Sequence, residues 1–226
     1  MKVRTGTAVA VVTLTLVFSA WSASAADKPT GNQGPGVDEK TGKQLNEAVK
    51  LLKENHPAEA RAALEKLDLG RLSPYALSRV EQLLGSIDQA EKKYASAREH
   101  FNKAVASGGL SKEEDATIRF QVAQLYIAEQ RWQEGAEALK QWIAGQKDPD
   151  ASAYYSLAVA SYQLGDMQAA SDSAQKAVDL TGKSAKEAWL QMLLTLRVKR
   201  QEYQLALPVL QQLIETSKKL IETSKK

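Results

Sequence analysis

One small residue recurs five times along the 226-residue chain at nearly constant spacing, and this constrains the fold more than anything else in the sequence. It appears as Ala60, Ala97, Gly135, Ala170 and Ala206, at intervals of 37, 38, 35 and 36 residues. Three residues before each stands a larger packing residue: Pro57, Tyr94, Trp132, Met167 and Tyr203. Four after come Leu64, Phe101, Leu139, Ala174 and Leu210, and seven after come Leu67, Ala104, Trp142, Ala177 and Leu213. Steps of three, four and seven mark one face of a helix. A second in-phase set lies upstream: Glu47-Ala48, Leu84-Gly85, Val122-Ala123, Leu157-Ala158 and Leu193-Leu194. Each period therefore holds two helices. A single pair cannot bury its own apolar face, so the pairs must stack on one another.

The stretch Asp150–Leu180 shows the unit most clearly. Tyr154, Leu157, Ala158, Ser161 and Tyr162 line one side of a first helix. Leu164-Gly165-Asp166 breaks the pattern, and Gly165 can take the left-handed conformation that closes a helix. Met167 opens a second helix with Ala170, Ala174, Ala177 and Val178 on one face. Large, small and aromatic residues on the first helix, followed by small-apolar-small on the second, resemble a tetratricopeptide repeat. The expected fold is all-α: a right-handed α-α superhelix of about five helix pairs.

Composition agrees with helices, since Ala, Leu, Gln, Glu and Lys dominate and only 6% of the chain is aromatic. Without cysteine there is no disulfide framework, thiol nucleophile or Cys-ligated metal. His56 and His100 lack a second ligand at metal-binding spacing and read as a turn residue and an exposed helix residue. No phosphate-binding Gly-rich loop and no HExxH is present, so neither an enzyme nor a cofactor is expected.

Residues 1–25 read as a signal peptide: Lys2 and Arg4, the apolar run Ala8–Phe18, then Ala23-Ser24-Ala25 as a cleavage site. Localisation is accordingly expected to be periplasmic, with no membrane span after cleavage. Without Lys2 and Arg4 the 30 basic residues become 28, against 27 acidic ones, and no basic face suggests nucleic acid.

Residues 26–40, rich in Gly, Pro and polar residues, read as a flexible tether. The array spans 41–219, in units of about 41–74, 75–111, 112–149, 150–183 and 184–219, with a duplicated tail at 220–226. The first pair is expected over Thr41–Glu54 and Pro57–Leu67, turning at Asn55-His56. Ser73-Pro74 looks like a cap and first-turn proline. Ser111–Glu114 and Ser184–Glu187 look like capping boxes opening the third and fifth pairs. Glu113, Glu114 and Asp115 complement the positive end of a helix rather than forming a metal or acid–base site. Pro208 is expected to kink a last helix running from Tyr203 to about Glu215. Leu213–Lys219 (LIETSKK) is then repeated letter for letter at Leu220–Lys226, with no evident polar capping helix.

A narrower likeness rests on three motifs, Phe120–Tyr126, Tyr154–Gly165 and Trp189–Val209. Over about Pro74–Lys219 the chain resembles the tetratricopeptide proteins associated with TonB energy-transduction systems of Gram-negative bacteria. Those proteins continue past the position of Lys219 with further repeats, where this chain carries its second LIETSKK. The resemblance implies a periplasmic accessory of inner-membrane-powered uptake, with TonB, ExbB or ExbD-type proteins as partners.

In solenoids of this kind the first helices line the concave face, where partners dock. Candidates pointing away from the packed seams are Arg79, Gln82 and Gln89; Phe120, Gln124 and Ile127; Tyr155, Val159, Tyr162 and Gln163; and Gln191, Thr195 and Lys199. Aromatic anchors mixed with amide and basic groups suit an extended peptide. Phe120, Tyr155 and Tyr162 read equally well as packing between units, and Trp132, Trp142 and Trp189 read as seam residues. A protein-binding scaffold is therefore expected. Its alternatives are a scaffold for cell-envelope or outer-membrane assembly, a cell-wall-binding accessory, or a self-associating array.

Overall fold

The computed structural model describes residues 36–223, and side chains as far as residue 218. The expected signal peptide, most of the tether and the last three residues lie outside the described residues. Ten α-helices follow in pairs within that span. They are α1 (Glu39–Lys53) with α2 (Pro57–Leu64), α3 (Pro74–Ala90) with α4 (Tyr94–Ala106), and α5 (Lys112–Ala128) with α6 (Trp132–Gly145). The last two pairs are α7 (Ala151–Gln163) with α8 (Met167–Thr181) and α9 (Glu187–Lys199) with α10 (Tyr203–Thr223). The fold is an all-α solenoid of tetratricopeptide type.

Each pair turns in the same way. Five residues before each small residue of the period, the backbone enters the left-handed region at Asn55, Lys92, Gln130, Gly165 and Gln201. The N–H of each donates three residues back, and the next N–H donates five back, as in Gln130 to Ile127 and Arg131 to Tyr126. These bonds satisfy carbonyls that a helix end would otherwise orphan. Gly165 adopts this conformation as expected, at φ +81°, whereas the other four positions place an L side chain there at φ 60–65°. Left-handed backbone disfavours a Cβ. Gln130→Gly and Lys92→Gly should therefore each raise stability by about 0.5–1 kcal/mol. A lower urea midpoint in either variant would show that the native side chain contributes more than its backbone strain costs.

Helix starts follow the caps. Ser73 Oγ accepts from the Ala76 N–H, with Pro74 in the first turn. Ser111 and Glu114 form the full capping box of α5. The one expected at Ser184–Glu187 does not form. Gly182–Ser184 instead make a 3-10 turn after α8, Ala185 is buried, and α9 starts at Glu187 with no side-chain cap. Burying Ala185 against Trp189 and Leu190 takes Ser184 out of the capping position. α1 begins at Glu39 because Asp38 accepts from the Thr41 N–H, and α2 closes at Leu64, ahead of a 3-10 turn at Leu69–Arg71. α10 runs through Pro208 and past Glu215 to Thr223.

The core is not one cluster but four, each where the second helix of one pair meets the first helix of the next. Ala60 and Leu64 of α2 pack with Val80, Leu84 and Ile87 of α3. Ala97, Phe101 and Ala104 of α4 meet Ile118, Val122 and Leu125 of α5. Ala136 and Leu139 of α6 meet Ala153, Leu157 and Ala160 of α7. Ala170, Ala174, Ala177 and Val178 of α8 meet Trp189, Leu190, Leu193 and Leu196 of α9. The small residues bring the helices together and the larger ones interdigitate across each seam.

Candidate partner-binding face

The small position of each first helix (Ala48, Gly85, Ala123, Ala158, Leu194) fixes the register of the face beside it. Three residues before it stand Gln82, Phe120, Tyr155 and Gln191, and one after stands Gln124. Four after stand Gln89 and Tyr162, and five after stand Gln163 and Lys199. Arg79 lies a turn further toward the N-terminus of α3. Gln163, Gln191 and Lys199 are exposed, and Arg79, Gln82, Gln89, Phe120, Gln124, Tyr155 and Tyr162 are half-buried. Val159 is half-buried and Thr195 exposed, but Ile127 is buried in the α6–α7 seam. It takes the space left by Gly135, where an added Cβ would lie 2.5 Å from Ile127 Cδ1.

Contacts divide these residues into three groups. At the α3 end, Arg79 bonds Gln82 Oε1 at 2.8 Å, stacks 4.7 Å from the Tyr75 ring centre and pairs with Glu114 of α5. Burial works against the Arg79 charge, yet hydrogen bonding to Tyr75 and Glu114 outweighs it and keeps the guanidinium charged. Burial likewise opposes ionisation of Glu114, and the Ser111 N–H together with Arg79 holds its carboxyl below the ordinary value. In the middle, Phe120 lies 4.8 Å from Trp142, whose indole N–H donates to the Ala116 carbonyl at 2.6 Å. Tyr155 stacks on Trp189 at 5.4 Å, joining α7 to α9, and burial pushes its phenol up.

The third group is at the α9 end. Lys199 Nζ donates to the Tyr162 hydroxyl at 2.7 Å across 37 residues of sequence. The same nitrogen lies 4.9 Å from that ring's centre, so the ammonium sits at the hydroxyl end of the ring. Gln191 is tied by its amide N–H to Glu187 at 2.9 Å, leaving its amide oxygen toward solvent. The face thus combines fixed aromatic surfaces, exposed amides and one exposed ammonium. Such groups hydrogen-bond an extended backbone and bind a carboxylate without any step of bond chemistry.

Pairing partners were the part of this face that sequence reading missed. Tyr75, Glu114, Glu187 and the Trp142 indole each restrain a predicted residue; Tyr75 to Arg79 and Glu187 to Gln191 are local helical spacings, while Glu114 and Trp142 reach from further along the chain. His100, expected to be exposed, is instead held between α4 and α3 of the second pair. Its Nδ1 contacts Glu81 at 2.6 Å and its side chain is 19% exposed. Among the described residues, no group of three His, Cys, Asp or Glu side chains could hold a metal ion, and no helix is long and apolar enough to cross a membrane.

The tetratricopeptide repeat family model matches residues 83–150 and 123–185. No curated protein matches in sequence. Solved structures that resemble the chain include a MamA RS-1 double mutant, at TM-score 0.68 and 18% identity over 81% of this chain and 97% of that one. MamA from Desulfovibrio magneticus RS-1 matches at TM-score 0.66 and 18% identity, over 80% and 97% of the two chains. A Podospora anserina protein titled a kinesin light chain with nearly identical TPR-like repeats matches at TM-score 0.61 and 21% identity, over 81% and 99%.

Proposed function

We propose that this solenoid of tetratricopeptide-type helix pairs is a protein-binding scaffold that holds an extended segment of its partner along the first-helix face. The reading places it in the periplasm, as an accessory of a TonB-type energy-transduction complex. The observation that supports the face is the common register of Gln82, Phe120, Tyr155 and Gln191, in which two aromatic rings held against tryptophans lie between two amide side chains, with Gln163 and Lys199 exposed beside them. Ring contacts with Trp142 and Trp189 hold Phe120 and Tyr155 before any partner arrives, which lowers the ordering cost of binding. The leader-like sequence of residues 1–25 and the resemblance of Phe120–Tyr126, Tyr154–Gly165 and Trp189–Val209 to TonB-associated repeat proteins support the location and the partner class.

The test is crosslinking in intact cells with a photo-reactive residue at Gln163 or Gln191, both exposed, and a control at Lys176, exposed on the second helix α8. Adducts at Gln163 and Gln191 containing TonB, ExbB or ExbD-type proteins are the expected result. Adducts to envelope-assembly proteins alone would keep the face and replace the complex. Equal labelling at Lys176 would overturn the face itself.

A further inference from the structure

The first and last described helices are built differently. In every seam the first helix offers three apolar residues to the preceding pair: Val80, Leu84 and Ile87 in α3, and Trp189, Leu193 and Leu196 in α9. The same three positions in α1 are Lys43, Glu47 and Lys50, all exposed. The N-terminal face is therefore charged.

α10 carries no such protection. Tyr203, Leu207, Leu210 and Ile214 follow a four-three-four spacing, the pattern of a helix-pairing seam. Their exposures are 59%, 54%, 40% and 46%. Where the internal second helices have the equivalent of Leu210, burial is complete or nearly so: Leu64 0%, Phe101 1%, Leu139 0% and Ala174 0%. Where they have the equivalent of Leu207, Arg98, Ala136 and Ser171 are 7%, 4% and 0% exposed, and Arg61 of α2 is half-buried. The other large apolar residues exposed among those described are Leu205 on the other side of α10 and scattered single residues on other elements.

We infer that the stripe Tyr203–Leu207–Leu210–Ile214 is a contact between two copies of this chain, with α10 packed antiparallel on its twin about a two-fold axis. The stripe continues the series of internal seams and carries larger apolar side chains than the equivalent positions of α8. Head-to-tail stacking would press it onto Glu47, Lys50 and the Lys43–Glu39 pair and take these charges out of water against an apolar stripe, a costly arrangement. Among the described residues, the face that offers a matching exposed apolar heptad stripe is α10 itself. A two-fold contact closes after two copies and leaves the charged α1 faces outward, so no filament grows. With the axis at the middle of the stripe, Leu207 of one copy faces Leu210 of the other.

The test uses the full chain in sedimentation equilibrium across a concentration series, beside Leu210→Glu with its helicity checked by circular dichroism. A monomer–dimer equilibrium that Leu210→Glu weakens by at least about tenfold is expected. Only monomer up to about 100 µM, a range that would reveal even weak pairing, would overturn the contact, as would association unchanged in Leu210→Glu. The lack of native cysteine makes the geometry testable as well. An equimolar mixture of Leu207→Cys and Leu210→Cys chains should form a disulfide-linked pair on oxidation, since facing residues of packed helices come within bridging distance. A mixture with Lys43→Cys in place of either should not. Crosslinking through position 43, or none between 207 and 210, would overturn the arrangement.

Discussion

Asp88→Ala is expected to destabilise the array by about 3 kcal/mol, because it removes the acceptor at the centre of a buried polar cluster. The Asp88 side chain is 3% exposed and accepts from Arg61 Nη2 at 2.5 Å and from the Ser96 hydroxyl, with His100 Nε2 at 3.6 Å. Alanine would leave Arg61 and Ser96 of two neighbouring pairs without this partner. At the slope usual for a chain of this size, the urea midpoint should fall by about 1.5 M. The effect depends on pH in a definite direction. Burial raises the cost of the Asp88 charge, but Ser96 and Arg61 more than offset it and hold the carboxyl below its ordinary value of 3.8. A carboxylate with a depressed value stabilises fully above the unfolded value and loses that contribution as pH falls through the folded one. Asp88→Asn should therefore be clearly weaker than the native chain at pH 7, and the gap should narrow as the pH is taken below 3.8 toward the lowered folded value. A gap of the same size at both values would mean that shape, not charge, holds the cluster.

Gly109→Ala should be comparably damaging for a different reason. A Cβ at Gly109 would lie 2.2 Å from both the carbonyl carbon and oxygen of Pro74 and 2.3 Å from the Tyr75 nitrogen. All three are backbone atoms at the capped start of α3, so no side chain can turn aside. Relief requires moving the helix start, at about 3 kcal/mol by analogy with severe overpacking. Gly145→Ala is the control, because a Cβ there meets nothing within 4 Å. Thermal melts should show a large drop for the first and a change within about 0.5 kcal/mol for the second. Equal behaviour would mean that the α4–α5 connection yields more easily than its packing implies.

The period of the chain was legible because it is written in residues a few positions apart. Ala97, Phe101 and Ala104 announce one helix face by spacing alone, and Ser73-Pro74 and Ser111–Glu114 carry their caps within four residues. The Ser184 capping box misled because its local pattern is complete, while the burial of Ala185 depends on α9 packing back over α8. Nothing in the period singles out Asp88. Its partners Arg61 and His100 are 27 and 12 residues away, and no local rule joins them. The partner face divides in the same way. The register of Gln82, Phe120, Tyr155 and Gln191 follows from the period. The restraints on them, Arg79 to Glu114 or Tyr162 to Lys199, cross between units and become visible only when the helices are in place.

The four seams share no residue, and this sets which changes the chain can absorb. Deleting or duplicating one whole period removes or adds a pair and rejoins equivalent faces, so each remaining seam keeps its register. Losing a single residue inside α5 or α7 is far more disruptive despite being smaller. It turns the rest of that helix by about 100°, which swings one apolar face away from its seam and brings a polar one in. The tolerated unit of variation is thus the helix pair rather than the residue, and arrays of different length could arise by whole-pair steps.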